Sequence, residues 1–249
     1  MLELATKFLP DPQAFQVAYQ AGFRGAEFWL DAGLLCDWQT ILSTACKYPF
    51  TYVLHFPNRG PLQGKAIQGA VLLYRELKCR AMVIHQRMYD KHAEAILAME
   101  PSLRLALENH ALDRPGFDRW AERNPWLTLD VEHLWMATLR KAPLDKLLAA
   151  LGDFLSRCGE KLLHVHLPGY RIGGKEHCPV HHSPEMATGV LTLLADHGFS
   201  GLVVSEADQE FQNLDDLRQD TALFANWRTQ YASQARSGTS EGSTIPCQD

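Results

Sequence analysis

The sequence lacks the features that place a chain in a membrane or direct it out of the cell. No apolar run approaches the roughly 18 residues that a membrane span needs. The N-terminus, Met1-Leu-Glu-Leu, has no basic segment followed by an apolar run, so it predicts no signal peptide. The six cysteines form no Cys-x-x-Cys pair and follow no regular spacing, a usage typical of reduced thiols. We therefore expect a cytoplasmic protein with no membrane partner.

An excess of positive charge is also missing. The formal net charge is −5 and the sequence pI is about 6.1, whereas proteins that follow a phosphate backbone usually carry a basic stripe. Nucleic acid is therefore not the expected partner. The hydrophobic content of 46% is ordinary for a globular chain, and 249 residues are enough for one large domain.

A glycine-rich phosphate-binding turn is the third absence. The residues after the first predicted strand, Leu9-Pro10-Asp11-Pro12, contain no glycine, which argues against a doubly wound open sheet. What the sequence does contain is an alternation of β-rich runs with amphipathic stretches. The predicted strands are Leu2–Phe8, Gly25–Leu30, Thr51–Phe56, Ala81–His85, Leu103–Glu108, Trp126–Asp130, Leu162–His166 and Gly201–Glu206. The predicted helices are Pro12–Ala21, Lys65–Lys78, Ala93–Met99, Leu144–Ser156, Pro184–His197 and Leu214–Arg228.

This alternation predicts the α/β class and a single, parallel, eight-stranded (β/α)8 TIM barrel over residues 1–231. The reason is that a helix following a strand returns the chain to a parallel neighbouring strand. From Ala232 onward the chain is rich in Ser, Gly and Thr and has no apolar periodicity. That composition predicts a flexible, disordered low-complexity tail over residues 232–249.

Six consecutive predicted strands end in an imidazole or a carboxylate. In a parallel barrel the carboxyl ends of all strands meet at one rim, where catalytic groups lie. Imidazole and carboxylate are ligands that Mn²⁺, Mg²⁺, Zn²⁺ and Fe²⁺ accept, and burying so much potential charge without a cation would be costly. The sequence therefore predicts a divalent-metal site, its metal being Mn, Mg, Zn or Fe, built from His55, His85, Glu108, Asp130, His166 and Glu206.

The order and spacing of these residues resemble one known superfamily. The matching motifs are those of the xylose isomerase-like TIM barrel superfamily, which includes sugar isomerases and epimerases and the endonuclease IV-like proteins. The resemblance covers nearly the whole chain, to about residue 230, and rests on Glu108, the segment Asp130-Val-Glu-His133, His164-Val-His166 and Glu206.

The epimerase branch of that superfamily implies a single divalent ion and a pair of catalytic carboxylates. By this resemblance, Glu108 and Glu206 act as acid and base, and His133 and Arg171 bind substrate oxygens. Trp135 is a further substrate-binding candidate, because aromatic side chains in barrel loops often stack on sugar rings. The ion would be bound by Glu108, Asp130, His166 and Glu206.

The endonuclease IV branch uses more ligands, for three zinc ions, and so implies a second metal that shares Glu108. The additional ligands implied are His55 and His85 for that second metal and, further out, His133 and His177. One position departs from the pattern, since Lys175 stands where an aspartate is expected two residues before His177. An ammonium group repels a cation, which argues against a complete third site. The Glu-Leu signature of the second strand is also altered, to Glu27-Phe28-Trp29.

Three functions remain open from the sequence. The leading hypothesis is a divalent-metal-dependent isomerase or epimerase of a small carbohydrate, or a related polyol or keto acid, with proton transfer next to a carbonyl and a metal-stabilised enediolate. The second is a two-metal hydrolase like endonuclease IV, or an iron-dependent oxygenase, for which the extra histidines are the evidence. The third is a non-catalytic, diverged barrel, suggested by Lys175 and the His181-His182 pair. The number of metals and the presence of a homo-oligomer are left open.

Overall fold

A computed structural model describes residues 2–238 and shows a closed barrel. Within these residues eight strands pair in parallel, each with the next along the chain, and β1 closes the barrel against β8. The strands are β1 (Glu3–Phe8), β2 (Gly25–Trp29), β3 (Thr51–His55), β4 (Met82–Ile84), β5 (Leu105–Glu108), β6 (Leu127–Asp130), β7 (Leu162–His166) and β8 (Leu202–Ser205). Each strand lies inside the range predicted for it, so the predicted fold is confirmed.

Helices connect successive strands. The α-helices are α1 (Pro12–Gln20), α2 (Ala32–Cys36), α3 (Trp38–Ala45), α4 (Gly64–Glu76), α5 (Gln86–Met99), α6 (Arg114–Arg123), α7 (Val131–His133), α8 (Leu144–Cys158), α9 (Pro184–Asp196) and α10 (Leu214–Gly238). Shorter elements are a π-helix at Leu134–Thr138 and 3-10 helices at Gly159–Lys161, Val180–His182 and Gln209–Phe211. The sequence analysis missed α2, α3, α6 and α7. Helices α2 and α7 are too short to show a 3.6-residue repeat, and α6 begins with Arg-Pro-Gly, which also suggests a turn.

The alternation of side chains along the strands decides what fills the barrel. Residues two apart on a strand point to the same side of the sheet. The innermost apolar cluster consists of Ala5, Val53, Ala81, Val83, Ala106, Leu202 and Val204. A polar residue follows five of these apolar residues two positions later, at Lys7, His55, His85, Glu108 and Glu206. The rim at the carboxyl ends of the strands therefore receives charged and imidazole side chains above an apolar floor.

The connection after β7 folds back on itself. Gly169 and Cys178 form an antiparallel bridge, with N···O distances of 2.7 Å and 3.1 Å in the two directions. A Cβ atom at Gly169 would lie 1.9 Å from the carbonyl oxygen of Pro179, so a larger residue does not fit there. This bridge brings the second half of the connection back toward the barrel.

The last helix, α10, runs to Gly238 and thus includes residues 232–238, which the sequence analysis assigned to the tail. Ala, Gln and Arg in this segment are strong helix formers, which accounts for the continued helix. Residues 239–249, the rest of the predicted tail, lie outside the described residues. Among the helices in residues 2–238, none combines the length and apolarity needed to cross a membrane.

Candidate metal centre

Glu108, at the end of β5, lies at the centre of the polar cluster. Its Oε2 atom is 3.1 Å from Nε2 of His55 and 3.2 Å from Nε2 of His85, at the ends of β3 and β4. Both contacts have hydrogen-bond geometry, and the Glu108 side chain is buried. Burial alone would raise the pKa of Glu108, but the hydrogen bonds with His55 and His85 lower it well below its usual range. The structure thus brings these three predicted ligands together around one carboxylate oxygen.

His166, at the end of β7, joins Glu108 to the other two predicted carboxylates. Its Nδ1 atom lies 2.8 Å from Oε2 of Glu206, 3.8 Å from Oε2 of Glu108 and 3.9 Å from Oδ2 of Asp130. The His166 side chain is fully buried, and that of Asp130 nearly so. All six predicted strand-end ligands therefore lie in one cluster. Glu108 belongs both to a triad with His55 and His85 and to a quartet with Asp130, His166 and Glu206.

Three atoms of this quartet are buried without a hydrogen-bond partner among the described residues. They are Oδ2 of Asp130, Nδ1 of His166 and Oε2 of Glu206. Although His166 Nδ1 and Glu206 Oε2 are close, their geometry is not that of a hydrogen bond. Buried polar atoms are rarely left unpaired, and these three are the atom types that ligate a divalent cation. The residues therefore fit a metal ion held by Glu108, Asp130, His166 and Glu206.

Asp130 is positioned by its neighbours on β5 and α7. Asn109, which follows Glu108, accepts a 2.6 Å hydrogen bond from the backbone N–H of Asp130 and donates one to the Asp130 carbonyl oxygen. The Oδ1 atom of Asp130 accepts the backbone N–H of His133, the last residue of α7. Asp130 thereby caps the N-terminus of that helix. These contacts occupy Oδ1 and leave Oδ2 facing His166. The sequence analysis assigned no role to Asn109, although its place directly after a ligand could have suggested one.

Lys7, on β1, was not predicted as part of the site. Its ammonium nitrogen lies 2.6 Å from Oε1 of Glu206 and 3.2 Å from Oε1 of Glu27, and its side chain is 5% exposed. Burial alone would lower the pKa of Lys7, but Glu206 and Glu27 raise it above its usual range. The lysine therefore carries its charge inside the barrel, and its bond to Oε1 of Glu206 leaves Oε2 to face His166.

Glu27, on β2, supports the histidines of β7 from below. Its Oε2 atom is 3.0 Å from Nε2 of His166 and also accepts a short hydrogen bond from His164. A carboxylate bonded to one ring nitrogen fixes the tautomer of a histidine and presents the other nitrogen to a metal. Glu27 thus orients Nδ1 of His166 toward the quartet. The altered Glu27-Phe28-Trp29 signature was the available sequence signal, and its partner could not be read from it.

The charged groups at this rim shift one another's pKa values. The ammonium group of Lys7 faces the carboxylates of Glu27, Glu108 and Glu206. Burial alone would lower the pKa of His166, but Glu206 and Glu27 raise it well above its usual range. Burial raises the pKa of Asp130, and Glu206 and Glu108 add to that effect. Metal binding at this rim should therefore release protons, because the ligands must be deprotonated.

Replacing Glu27 with Gln is expected to weaken divalent-metal binding by about 10–100-fold, the range typical for loss of an outer-shell partner. Glutamine fills the same volume but holds the His166 ring less firmly than a carboxylate does. Titration with Mn²⁺ in a calorimeter measures the change. Glu3→Gln is the matched control, because Glu3 lies on β1 but pairs with Arg80 at the surface, where both side chains are more than 40% exposed (43% for Arg80 and 44% for Glu3). Equal Mn²⁺ affinity in Glu27→Gln and the wild type would contradict this role.

Comparisons with known proteins agree at the level of fold. No family model matches the chain, and no curated protein matches it. A D-tagatose 3-epimerase-like protein superposes with a TM-score of 0.65 at 14% identity, covering 94% of this chain and 99% of that chain. Endonuclease IV from Thermus thermophilus gives 0.62 at 14% identity, with 92% and 99% covered. D-allulose 3-epimerase from Methylomonas sp., in complex with D-allulose, gives 0.55 at 15% identity, with 91% and 97% covered. The chain therefore shares the eight-stranded parallel barrel fold of these proteins.

Around the quartet, the barrel rim carries a second group of imidazoles. His133 lies with its Nε2 atom 3.9 Å from Oδ2 of Asp130. The ring of His110 packs between those of His85 and His133, with centroid distances of 4.6 Å and 4.5 Å. Burial lowers the pKa of His110 to about 4, with His133 contributing, so this ring is neutral near pH 7. His110 was not predicted as a site residue, although it stands two positions after Glu108.

His177 also reaches the quartet. Its ring offers a nitrogen within 4.8 Å of carboxylate oxygens of both Asp130 and Glu206. Its backbone N–H donates to Oε2 of Glu132, a buried carboxyl whose pKa is raised to about 9 by burial and by Asp130. The Glu132 side chain lies buried beside His177.

Lys175 pairs with carboxylates at the surface of the barrel. Its ammonium nitrogen lies 3.0 Å from Asp208, contacts Glu210 and lies over the ring of Phe211. The side chain is 48% exposed. The charge that was expected to repel a third cation is therefore neutralised by ion pairs after β8.

Two of the predicted substrate-binding residues lie apart from the metal ligands. Trp135 and Arg171 line a cavity of about 500 Å³ together with Tyr170. Trp135 is buried, packs edge-on against Tyr170 and donates to the carbonyl of Ala142. Their role in substrate binding therefore rests on the sequence interpretation alone.

Two of the four quartet residues, Glu108 and Glu206, face a smaller cavity. Its volume is about 230 Å³, and it is lined by Lys7, Trp29, His55, His85, Glu108, His133, His177 and Glu206, among others. Next to it, a cavity of about 740 Å³ shares His85, Glu108 and His110 and is lined by Arg87, Arg119 and Arg123. Both catalytic carboxylates predicted from the resemblance thus open into one small space.

Proposed function

We propose that the protein is a divalent-metal-dependent isomerase or epimerase that moves a proton next to the carbonyl group of a small carbohydrate. The observation that carries the proposal is the buried cluster of Asp130 Oδ2, His166 Nδ1 and Glu206 Oε2, which make no hydrogen bond with good geometry, His166 and Glu206 being in ion-pair contact at 2.8 Å. These atoms belong to the quartet that the epimerase resemblance implies. The fold likeness to epimerases, one of them bound to D-allulose, supports the choice of substrate class.

In this proposal the quartet Glu108, Asp130, His166 and Glu206 holds the metal, which when bound polarises neighbouring substrate oxygens. Glu108 and Glu206 both line the 230 Å³ cavity. One carboxylate removes the proton from the carbon beside the carbonyl, and the other returns a proton to the opposite face. His133 lines the same cavity and donates to a substrate oxygen.

Three neighbouring side chains position these two carboxylates. Lys7 binds Oε1 of Glu206, and His55 with His85 binds Oε2 of Glu108. Each carboxylate therefore keeps one oxygen free of these partners. The small volume of the cavity suits a small ligand better than a polymer.

A second candidate is a two-metal hydrolase of a small phosphorylated substrate. The specific observation is that His55, His85 and Glu108 place one ligand atom each within 4.8 Å of the others. Glu108 would then bridge two ions about 3.5–4 Å apart, an arrangement that suits phosphoester hydrolysis. The arginines of the adjoining cavity, Arg87, Arg119 and Arg123, have no ion pair among the described residues and could bind an anion.

The two candidates are separated by one assay on a panel of ketoses and sugar phosphates with Mg²⁺. Incubation in D2O is expected to place deuterium on the carbon next to the ketose carbonyl, observed by NMR, because the carboxylate that returns a proton exchanges with solvent. Release of inorganic phosphate without deuterium incorporation would contradict the isomerase and favour the hydrolase.

The triad of His55, His85 and Glu108 provides a test of how many metal ions each chain binds. In His85→Ala, an isomerase with one ion is expected to keep the metal content of the wild type, since the quartet is intact. A two-metal hydrolase would lose one ion per chain. Metal analysis after gel filtration measures the difference between the variant and the wild type.

A further inference from the structure

A second cluster of metal-ligating groups lies outside the barrel rim. His181 and His182 form the 3-10 helix after β7, and Asp216 lies in the first turn of α10. Each of the three offers a ligand atom, and these atoms lie within 4.8 Å of one another. None of the three takes part in the contacts described for the quartet.

His181 is held in one tautomer by a buried carboxylate. Its Nδ1 atom lies 2.7 Å from Oδ1 of Asp220, which also accepts the His181 backbone N–H at 2.9 Å. The other oxygen of Asp220 accepts the hydroxyl of Ser205 on β8. Because an ionised carboxylate can only accept, Nδ1 of His181 carries the proton. The lone pair of a neutral His181 ring is therefore on Nε2.

The side chain of Asp216 is also oriented by a hydrogen bond, which Asn213 donates. Oδ2 of Asp216 accepts a 2.7 Å hydrogen bond from the side-chain amide of Asn213, whose own oxygen accepts the backbone N–H groups of Asp215 and Asp216. This leaves Oδ1 facing Nε2 of His181 at 3.6 Å. These two atoms face each other at a distance too long for a hydrogen bond.

That separation matches two ligands of one metal ion. Tetrahedral Zn²⁺ with ligand bonds of about 2.1 Å places its ligand atoms about 3.4 Å apart. The ring of His182 packs edge-on against His181, with centroids 4.5 Å apart, and also against Phe211. His182 is exposed and His181 is 14% exposed, so the cluster is open to solvent.

The geometry points to a second metal site that binds Zn²⁺ through His181 Nε2, His182 and Asp216 Oδ1, with Asp220 and Asn213 orienting two of the ligands. Two imidazoles and one carboxylate form a borderline donor set suited to Zn²⁺, with a fourth position for water. His181 and His182 lie in the connection between β7 and α9, and Asp216 lies on α10. The ion would therefore link that connection to the last helix.

Zinc content of the full chain tests this site. After treatment with EDTA and re-equilibration with Zn²⁺, His182→Ala and Asp216→Asn are each expected to bind one ion per chain fewer than the wild type. Asp216→Asn keeps the bond to Asn213, and His182 is exposed, so both variants should fold. His197→Ala is the control, because His197 is an exposed histidine at the end of α9.

The readout is the difference from the wild type, which does not depend on metal bound at the barrel rim or on activity. Co²⁺ in place of Zn²⁺ gives an independent signal, since loss of the site removes part of the visible absorption. A wild-type zinc content in either His182→Ala or Asp216→Asn would overturn the proposal, as would an equal loss in His197→Ala.

Discussion

Replacing Glu108 with Gln is expected to lower the affinity of the barrel rim for Mn²⁺ by roughly 100-fold or more, since loss of an outer-shell partner alone typically costs 10–100-fold. One oxygen of Glu108, Oε2, faces His55 and His85 on one side and His166 on the other. A neutral amide removes the charge that a cation requires. It also presents either an NH2 group or a weaker ligand oxygen to the metal.

Titration of EDTA-stripped protein with Mn²⁺ measures this loss. Glu132→Gln is the matched control, because Glu132 is also buried near the rim but its Oε2 atom bonds to the backbone of His177. The control is expected to bind Mn²⁺ like the wild type. Equal affinities in Glu108→Gln and Glu132→Gln would show that Glu108 is not a ligand.

Replacing Lys7 with Met is expected to destabilise the protein by about 3–5 kcal/mol when metal is absent, the cost typical of breaking a buried ion pair. The change leaves the carboxylates of Glu27 and Glu206 without the ammonium group that lies 3.2 Å and 2.6 Å from them. Methionine retains the length and packing of the lysine stem, so the loss reports the charge rather than a cavity. The free energy of unfolding in urea, with EDTA present, measures it.

Lys175→Met is the matched control for this experiment. Lys175 also pairs with two carboxylates, Asp208 and Glu210, but its side chain is 48% exposed. Exposed ion pairs contribute about 0–1 kcal/mol, so the control should remain close to the wild type. Saturating divalent metal is expected to recover part of the stability lost in Lys7→Met, because an ion bound to the folded state stabilises it. A Lys7→Met variant as stable as Lys175→Met would contradict the buried charge network.

The barrel could be predicted from the sequence because its signal is local. Each strand is visible in the sequence as a short apolar run. The candidate ligands His55, His85, Glu108 and His166 lie at the ends of such runs. Parallel strand order then brings their ends to one rim. That these side chains lie close together followed from this rule without knowledge of any contact between residues.

Lys7 and Glu27 could not be assigned in the same way. A lysine near the end of a strand is usually exposed, and its burial here depends on barrel closure. Lys7 meets Glu206 only because β1 pairs with β8, across 199 residues of sequence. The alternation from Ala5 to Lys7 places the lysine inside the barrel, but its partners are fixed by the tertiary fold.

The residues that line the cavities near the rim were harder to predict because loops position many of them. Trp135 lies in a π-helix after β6 and turns toward Tyr170 and Ala142 instead of toward the quartet. Arg119 and Arg123, on α6, line the cavity beside Glu108, although the sequence analysis predicted no helix there. The path of a connection between strand and helix leaves no periodic signal in the sequence.

The central claim is that one divalent ion is bound by Glu108, Asp130, His166 and Glu206. Anomalous diffraction from crystals of the protein soaked in Mn²⁺ tests it most directly. The account predicts an anomalous peak at the barrel rim in contact with Oδ2 of Asp130, Nδ1 of His166 and carboxylate oxygens of both glutamates, at distances of about 2.0–2.3 Å. Fully occupied Mn²⁺ peaks elsewhere in the crystal, with none among these four side chains, would contradict it.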